Sequence, residues 1–349
     1  MEFPAWDPVL FDIPGLPIDV RWYGLMYVVG FLAGHWILVR LARARFFPVP
    51  PEAAGDLIFY CVFGVMLGGR LGYALFYQHD LLNPLNFLQV WKGGLAFHGG
   101  LGGVAVALWL FCRKHRIGWM RTGDACALAV TPGIFAVRCA NFINGELYGR
   151  VTRPGTGLAM QFPTDPQALR LLHIGDGWSM RDRELCLQVA YGKRTFAEVQ
   201  PLLRTKDDFG VEIDWAAIAP RLDWQHVRSL TDVDGQPLVP YRHASQLYEA
   251  LGEGLLVGLI LLACYLLTRR RPLRPGRYAV LFLLGYAAVR ASLELVRQPD
   301  SWLGEVFLGL TMGQILSGGL VVGAVLMWFW PQRQAAAGGG AGDAVSPAE

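Results

Sequence analysis

GDACALAVTPGIFAVRCANFINGELYG, residues 123–149, is the stretch on which the rest of the chain turns. As far as Ile143 it is an apolar run of the length that crosses a bilayer as a helix. Arg138 nevertheless stands inside it. An arginine within a span costs roughly 3 kcal/mol on insertion scales, so such residues are rare and usually functional. Asn141, Asn144 and Glu146 follow, and then Gly149. A helix that ends this way handles a polar or charged group at the lipid boundary.

The composition agrees. Hydrophobic residues make up 53% of the 349 and charged residues only 17%, and the charges fall between long apolar runs rather than along amphipathic faces. That is the signature of a multispanning membrane protein. The basic residues sit at helix ends and form no basic domain, so nucleic acid is not an expected partner. Of the six cysteines, only Cys186 lies away from the apolar runs, and no CxxC pair exists. Neither a zinc site nor a disulfide framework is therefore indicated. No cleavable signal peptide is expected, because the first apolar span is long enough to remain as an anchor.

Seven runs qualify as spans: Tyr23 to Leu41, Asp56 to Tyr77, Leu95 to Cys112, Asp124 to Ile143, Tyr248 to Leu267, Tyr278 to Val296 and Leu310 to Trp330. The fold expected is an all-α integral membrane protein of seven transmembrane helices. Alternate short loops carry the basic residues: Arg43 and Arg45; then Arg113, Lys114, Arg116 and Arg121; then Arg269, Arg270, Arg271, Arg274 and Arg277. The loops between hold little more than Asp80 with Lys92, and Arg297 with Asp300 and Glu305. The positive-inside rule then puts the N-terminus outside and the C-terminus in the cytoplasm. Residues 1–149 hold the first four helices, 150–241 form a long external segment with a turn at Asp234-Gly235, and 242–331 hold the last three helices. Residues 332–349, Ala- and Gly-rich and without periodicity, read as a disordered cytoplasmic tail.

With directions assigned, the polar residues of the spans gather near one membrane face: Tyr23, Arg70, His98, Arg138 with Asn141, Glu249, Arg290 with Glu294, and Gln314. At 1.5 Å per residue, Arg138 lies about 8 Å from the end of its helix. Asp124, at the opposite face, reads as an N-cap of its own span. Arg290, Glu294 and Arg297 share a helix face at i, i+4 and i+7. Two arginine-bearing faces entering one polar chamber suit an anionic ligand, because guanidinium holds phosphate in a bidentate fork. Either arginine alone also reads as half of a structural ion pair, and Arg290 with Glu294 fits that description. Arg70 is expected to pair with a carboxylate, Glu146 or Glu294. His98 opens His-Gly-Gly-Leu-Gly-Gly103, whose glycines allow close approach either to a neighbouring helix or to a ligand. Histidine suits general-base work near neutral pH, although at a helix end it is often a structural hydrogen bonder.

Several motifs, in order, resemble the bacterial prolipoprotein diacylglyceryl transferases. They are Arg21-Trp-Tyr-Gly-Leu-Met-Tyr27, Phe97-His-Gly-Gly-Leu101, the run Arg138 to Gly149, Arg242-His-Ala-Ser-Gln-Leu-Tyr-Glu249, and Arg290 to Glu294 followed by Arg297-Gln-Pro-Asp300. Val137 and Ala140 stand where that family commonly has glycine, Ala244 replaces a proline, and the external segment is longer than is usual.

The resemblance implies transfer of the diacylglyceryl group of phosphatidylglycerol to the lipobox cysteine thiol of a prolipoprotein, with release of glycerol 1-phosphate, in the bacterial cytoplasmic membrane. It makes His98, Arg138 and Arg290 the expected catalytic residues. Tyr23, Asn141, Glu146, Gly149, Arg242, Glu294 and Arg297 become expected substrate-binding positions. The partners implied are phosphatidylglycerol, the lipobox peptide and membrane lipids. No metal or cofactor is implied. The competing reading is a transporter or flippase for an anionic solute or lipid. Against it, the polar residues stop in one leaflet and no inverted repeat is visible.

Overall fold

Long apolar runs become long helices, and glycines decide how closely they pack. The computed structural model describes the chain apart from residues 5, 13–18, 77–82, 88–95, 173, 175–178, 204, 207–211, 299–304, 308–309 and 331–349. The sequence readings on Asp80, Lys92, Leu95, Asp300 and the tail lie outside the described residues. The long helices are α1 (Trp22–Arg43), α2 (Ala53–Phe76), α3 (Phe97–His115), α4 (Trp119–Ile143), α5 (Ser245–Thr268), α6 (Arg277–Leu293) and α7 (Met312–Phe329). Five of them, α1, α2, α4, α5 and α7, are long and apolar enough to cross a membrane. α6 has 17 residues and so reaches about 26 Å. The fold is that of a mostly helical membrane protein.

Two helix pairs rest on glycine. Gly64, Gly68 and Gly72 of α2 face Gly99 and Gly103 of α3, and a Cβ added at Gly72 would sit 2.8 Å from Gly99 Cα. This resolves the role of two of the glycines after His98: they admit a neighbouring backbone. Likewise a Cβ on Gly30 of α1 would lie 2.9 Å from Gly133 of α4. Small-residue contacts of this kind bring helices together where the hydrophobic effect offers no drive. The opposite helix faces carry exposed Leu32, Trp36, Phe63, Leu259 and Val322, as lipid-facing surfaces do.

At the basic end of the bundle, Leu38, Leu41, Phe46, Phe47, Leu57, Phe111, Leu261 and Tyr278 form one apolar core. Asp124 belongs here, and its expected role needs correcting. α4 begins at Trp119, so Asp124 lies inside the helix and is fully buried. Its carboxylate accepts from the backbone N–H groups of Gly276 at 2.8 Å and of Tyr278 and Ala279 at 3.0 Å. It caps α6 from across the bundle rather than its own helix.

Between α4 and α5, short helices (Pro166–Leu171, Met180–Ala190, Phe196–Val199, Trp215–Ile218 and Trp224–Ser229) surround a core of Leu172, Cys186, Val199, Trp215, Trp224 and Val239. Asp165, Ser179, Asp214 and Asp223 accept from the first-turn backbone N–H groups of four of them. Gly235 has φ +75°, as the turn at Asp234-Gly235 requires. The segment is stitched to the bundle by strand Ala159–Met160, antiparallel to Arg242–His243. Phe162 adds to the join, its ring 6.5 Å from that of Phe142 in α4.

Candidate functional site

Main-chain bonds draw three of the sequence motifs together at the end of the bundle away from the basic loops. Gly149 N donates to His243 O (2.7 Å), Arg150 N to Val296 O (2.8 Å) and His243 N to Arg150 O (3.1 Å). Ser245 Oγ donates to Leu147 O at 2.8 Å, and Gln246 Nε2 to Glu146 O at 2.6 Å. At the centre of the crossing is Gly149. A Cβ there would meet the Val296 carbonyl and lie 2.9 Å from His243 Cβ, so backbone on two sides excludes any side chain.

This crossing fixes a buried cluster of three arginines and three glutamates. Arg138 on α4 faces two carboxylates of α5: its Nη1 is 2.9 Å from Glu249 Oε2 and its Nη2 is 3.0 Å from Glu253 Oε2. Arg290 Nη1 is 2.7 Å from Glu294 Oε2, one turn along α6, and Arg290 Nε is 3.8 Å from Glu253 Oε1. Arg297 Nη1 reaches Glu249 Oε1 at 2.5 Å. Thr311, the N-cap of α7, donates to Glu294 Oε1 at 2.7 Å. A π-helical stretch, Ala250–Leu256, runs through α5 at this point, a distortion often found at functional sites.

The exposures are layered. The side chains of Glu249 and Glu253 are 0% exposed and that of Glu294 is 4%, whereas Arg138, Arg290 and Arg297 retain 18, 16 and 12%. The carboxylates form a sealed backing, and the guanidinium groups are the accessible layer. Formal charge within the six balances, which makes their burial tolerable. The accessible side is cationic all the same. Arg290 Nη1 is itself buried and makes ion-pair contact with Glu294 without an aligned hydrogen bond.

An apolar cavity of about 550 Å³ runs from this cluster between α1, α2, α3 and α4. Arg138, Tyr27 and Tyr286 are its polar members; Met26, Phe31 and Leu57 are among its apolar walls. A cationic head joined to an apolar groove matches an anionic lipid in shape and chemistry.

The remaining sequence candidates fall around the cluster. Asn141, 3% exposed, donates to Glu146 Oε1 at 2.9 Å, so these two form a unit one turn beyond Arg138. Tyr23, half-buried, stacks edge-on against Tyr27 at 5.3 Å between ring centroids. Arg242 lies apart from the cluster: it pairs with Asp165, donates to Gln298 Oε1 at 3.2 Å and sits 5.1 Å over the Tyr148 ring. Burial pushes the Tyr148 phenol up to about 12, Asp165 adding to the rise and Arg242 opposing it. His98 lies in the first turn of α3, and its side chain is outside the described residues. Arg70 differs from expectation, because its guanidinium donates to the carbonyls of Asn86 (2.7 Å) and Phe87 (3.0 Å). Glu146 and Glu294 are engaged elsewhere; Arg70 holds a short helix end, where carbonyls lack partners of their own.

The residue that sequence reading missed is Glu253. The signal was present: Glu249 and Glu253 stand at i and i+4 in an apolar run, which places two carboxylates on one face of one helix.

Comparison with known proteins gives a consistent result. A family model described as prolipoprotein diacylglyceryl transferase matches residues 8–330. A protein of Burkholderia cenocepacia named phosphatidylglycerol–prolipoprotein diacylglyceryl transferase is 37% identical over 346 residues, covering 96% of this chain and 97% of the relative. Proteins of the same name from Burkholderia multivorans (37% identical, 95% and 96% covered) and Burkholderia thailandensis (36% identical, 96% and 97% covered) are similar over the same extent. Near-complete coverage in both directions makes the long external segment a length these relatives share.

Proposed function

This chain belongs to the prolipoprotein diacylglyceryl transferase family, and we propose that it transfers the diacylglyceryl group of phosphatidylglycerol to the lipobox cysteine of prolipoproteins through its arginine layer. The carrying observation is that layer: three guanidinium groups backed by sealed carboxylates, one of the three, Arg138, lining an apolar cavity. Phosphate would dock on Arg138 and Arg290, with an acyl chain in the cavity behind.

In the transfer, the cysteine sulfur attacks the glyceryl carbon, a carbon–sulfur bond forms, and the carbon–oxygen bond to phosphate breaks. The electron pair leaves on the phosphate oxygen, giving glycerol 1-phosphate. Fixed guanidinium donors facing that oxygen stabilise the charge as it develops. The thiol, with a pKa near 8.5, reacts as thiolate. His98 is our proposed base, on chemistry and the family resemblance. Glu253 and Glu294 hold the two arginines, Arg297 meets the head group at the rim, and Asn141, Glu146 and Tyr23 supply hydrogen bonds around it. Gly149 keeps the crossing closed, and Arg242 ties that crossing to the external segment.

In the topology we propose, α3 and α6 cross as well as the five longer helices, making seven. The N-terminus and residues 150–241 lie outside, 242–331 carry the last three helices, and the tail 332–349 is cytoplasmic. This puts the cluster in the outer leaflet of the cytoplasmic membrane, where exported peptides arrive. The test is reconstitution: purified protein, phosphatidylglycerol and a lipobox peptide should yield a thioether-linked lipopeptide and glycerol phosphate in equal amounts. No product from these three components overturns the reading.

A further inference from the structure

A second polar pocket, of about 220 Å³, shares only Glu146 with the residues assigned to the reaction above. It lies where the helix Met180–Ala190 of the external segment covers the end of α4, and Asp7, Asn144, Glu146, Leu187, Gln188 and Lys193 line it. Gln188 is 4% exposed. Its Nε2 donates to Asp7 Oδ1 at 3.2 Å, and since a carboxylate only accepts, this fixes which way the amide points. Gln188 Oε1 is then left buried with no hydrogen-bond partner. Asn144 repeats the pattern. Its Nδ2 donates to Glu146 Oε1 at 3.3 Å, and its Oδ1 is buried without a partner.

Two buried amide oxygens, each oriented by a carboxylate and each lacking a donor, therefore belong to residues that line one pocket. Buried acceptors are as a rule satisfied, so a bound group should bring N–H donors here. Asn144 stands six residues beyond Arg138 on the helix axis, about 9 Å. An extended peptide covers that distance in about three residues. The walls also carry Arg183 and Glu184, a mixed charge that suits a polar chain segment.

We propose that this pocket receives the backbone N–H groups of the residues just after the acceptor cysteine, with Gln188 and Asn144 as their acceptors. The inference rests on the transferase reading and adds to it a place where the peptide is held and a task for the external segment. Gln188 is thus a positioning residue, since a neutral amide has no group that takes up the thiol proton.

The test uses the full-length protein in detergent with phosphatidylglycerol and three peptides. One ends at the cysteine amide, one continues for three residues, and one carries N-methyl groups on those three amides. The extended peptide should have a KM about tenfold below the truncated one, the worth of one or two such bonds. N-methylation should abolish that advantage. Gln188→Leu should raise the KM of the extended peptide alone, leaving kcat, the KM for phosphatidylglycerol and the truncated peptide unchanged. Equal KM values for all three peptides mean that water alone fills the pocket, and the proposal falls. It falls too if Gln188→Leu weakens truncated and extended peptides alike. Where that variant does not fold, the N-methyl series on the unaltered protein decides. Absence of transfer to any peptide would instead sink the transferase reading, and this inference with it.

Discussion

The two ends of the helical bundle are built on opposite terms. At the basic end, Phe46 and Tyr278 meet edge-on at 5.2 Å between centroids, Phe47 stacks on Phe111 at 6.1 Å, and the filling around the capping carboxylate of Asp124 is mainly apolar. At the other end, six charged side chains occupy the corresponding space. Apolar burial stabilises by about 25 cal/mol per Å². Buried ion pairs often do no better than apolar residues of the same volume, and losing one partner costs about 3–5 kcal/mol. One end therefore holds the protein together, while the other is kept at some cost to stability because its chemistry is needed.

That contrast can be broken experimentally. Arg138→Lys should lower transfer by about 10²- to 10³-fold, the range for losing a fixed donor to developing charge, and so be nearly as inactive as Arg138→Ala. Lysine keeps the charge but cannot reach Glu249 and Glu253 at once while facing a phosphate. Turnover in membranes at matched protein level is the measurement, and near-normal activity would show that charge alone suffices. Gly149→Ala comes next. Its methyl group meets backbone on two sides, so strain of about 1–3 kcal/mol should pull the three motifs apart and reduce transfer more than thermal stability.

A smaller effect is expected of Glu253→Gln. The amide keeps one acceptor for Arg138 but removes the charge behind both arginines. Phosphatidylglycerol should bind at least as tightly while kcat falls about tenfold, the cost of one misplaced charge-assisted bond. Parallel loss of binding and turnover would make Glu253 merely structural. At the basic end, Phe47→Ala should destabilise by about 3–5 kcal/mol and leave kcat per folded molecule unchanged. Melting in detergent, set beside single-turnover rates, checks this; a change in kcat would mean that the two ends are not separable.

How far the sequence could be read follows the same division. Apolar runs of about twenty residues announce helices directly, and an arginine within one announces a site. Asp124 was misread because its partners are the N–H groups of Gly276, Tyr278 and Ala279, some 150 residues away, and no local pattern encodes capping across a bundle. Arg70 was misread for a similar reason: charge complementarity suggests a carboxylate, while the fold offers it helix-end carbonyls. The external segment was opaque because several of its helices are single turns, held by caps and by a core of residues far apart in sequence. Glu253 is legible as the i+4 partner of Glu249, although a carboxylate in an apolar run draws less notice than an arginine.

The central claim is that carboxylate-backed arginines grip the lipid phosphate. Binding of phosphatidylglycerol and of diacylglycerol with the same acyl chains, by the unaltered protein and by Arg138→Ala, tests it most directly. The unaltered protein should prefer phosphatidylglycerol by at least about tenfold, the worth of one charge-assisted hydrogen bond. Arg138→Ala should lose that preference while still binding both lipids through the apolar cavity. An equal preference in both proteins would contradict the account.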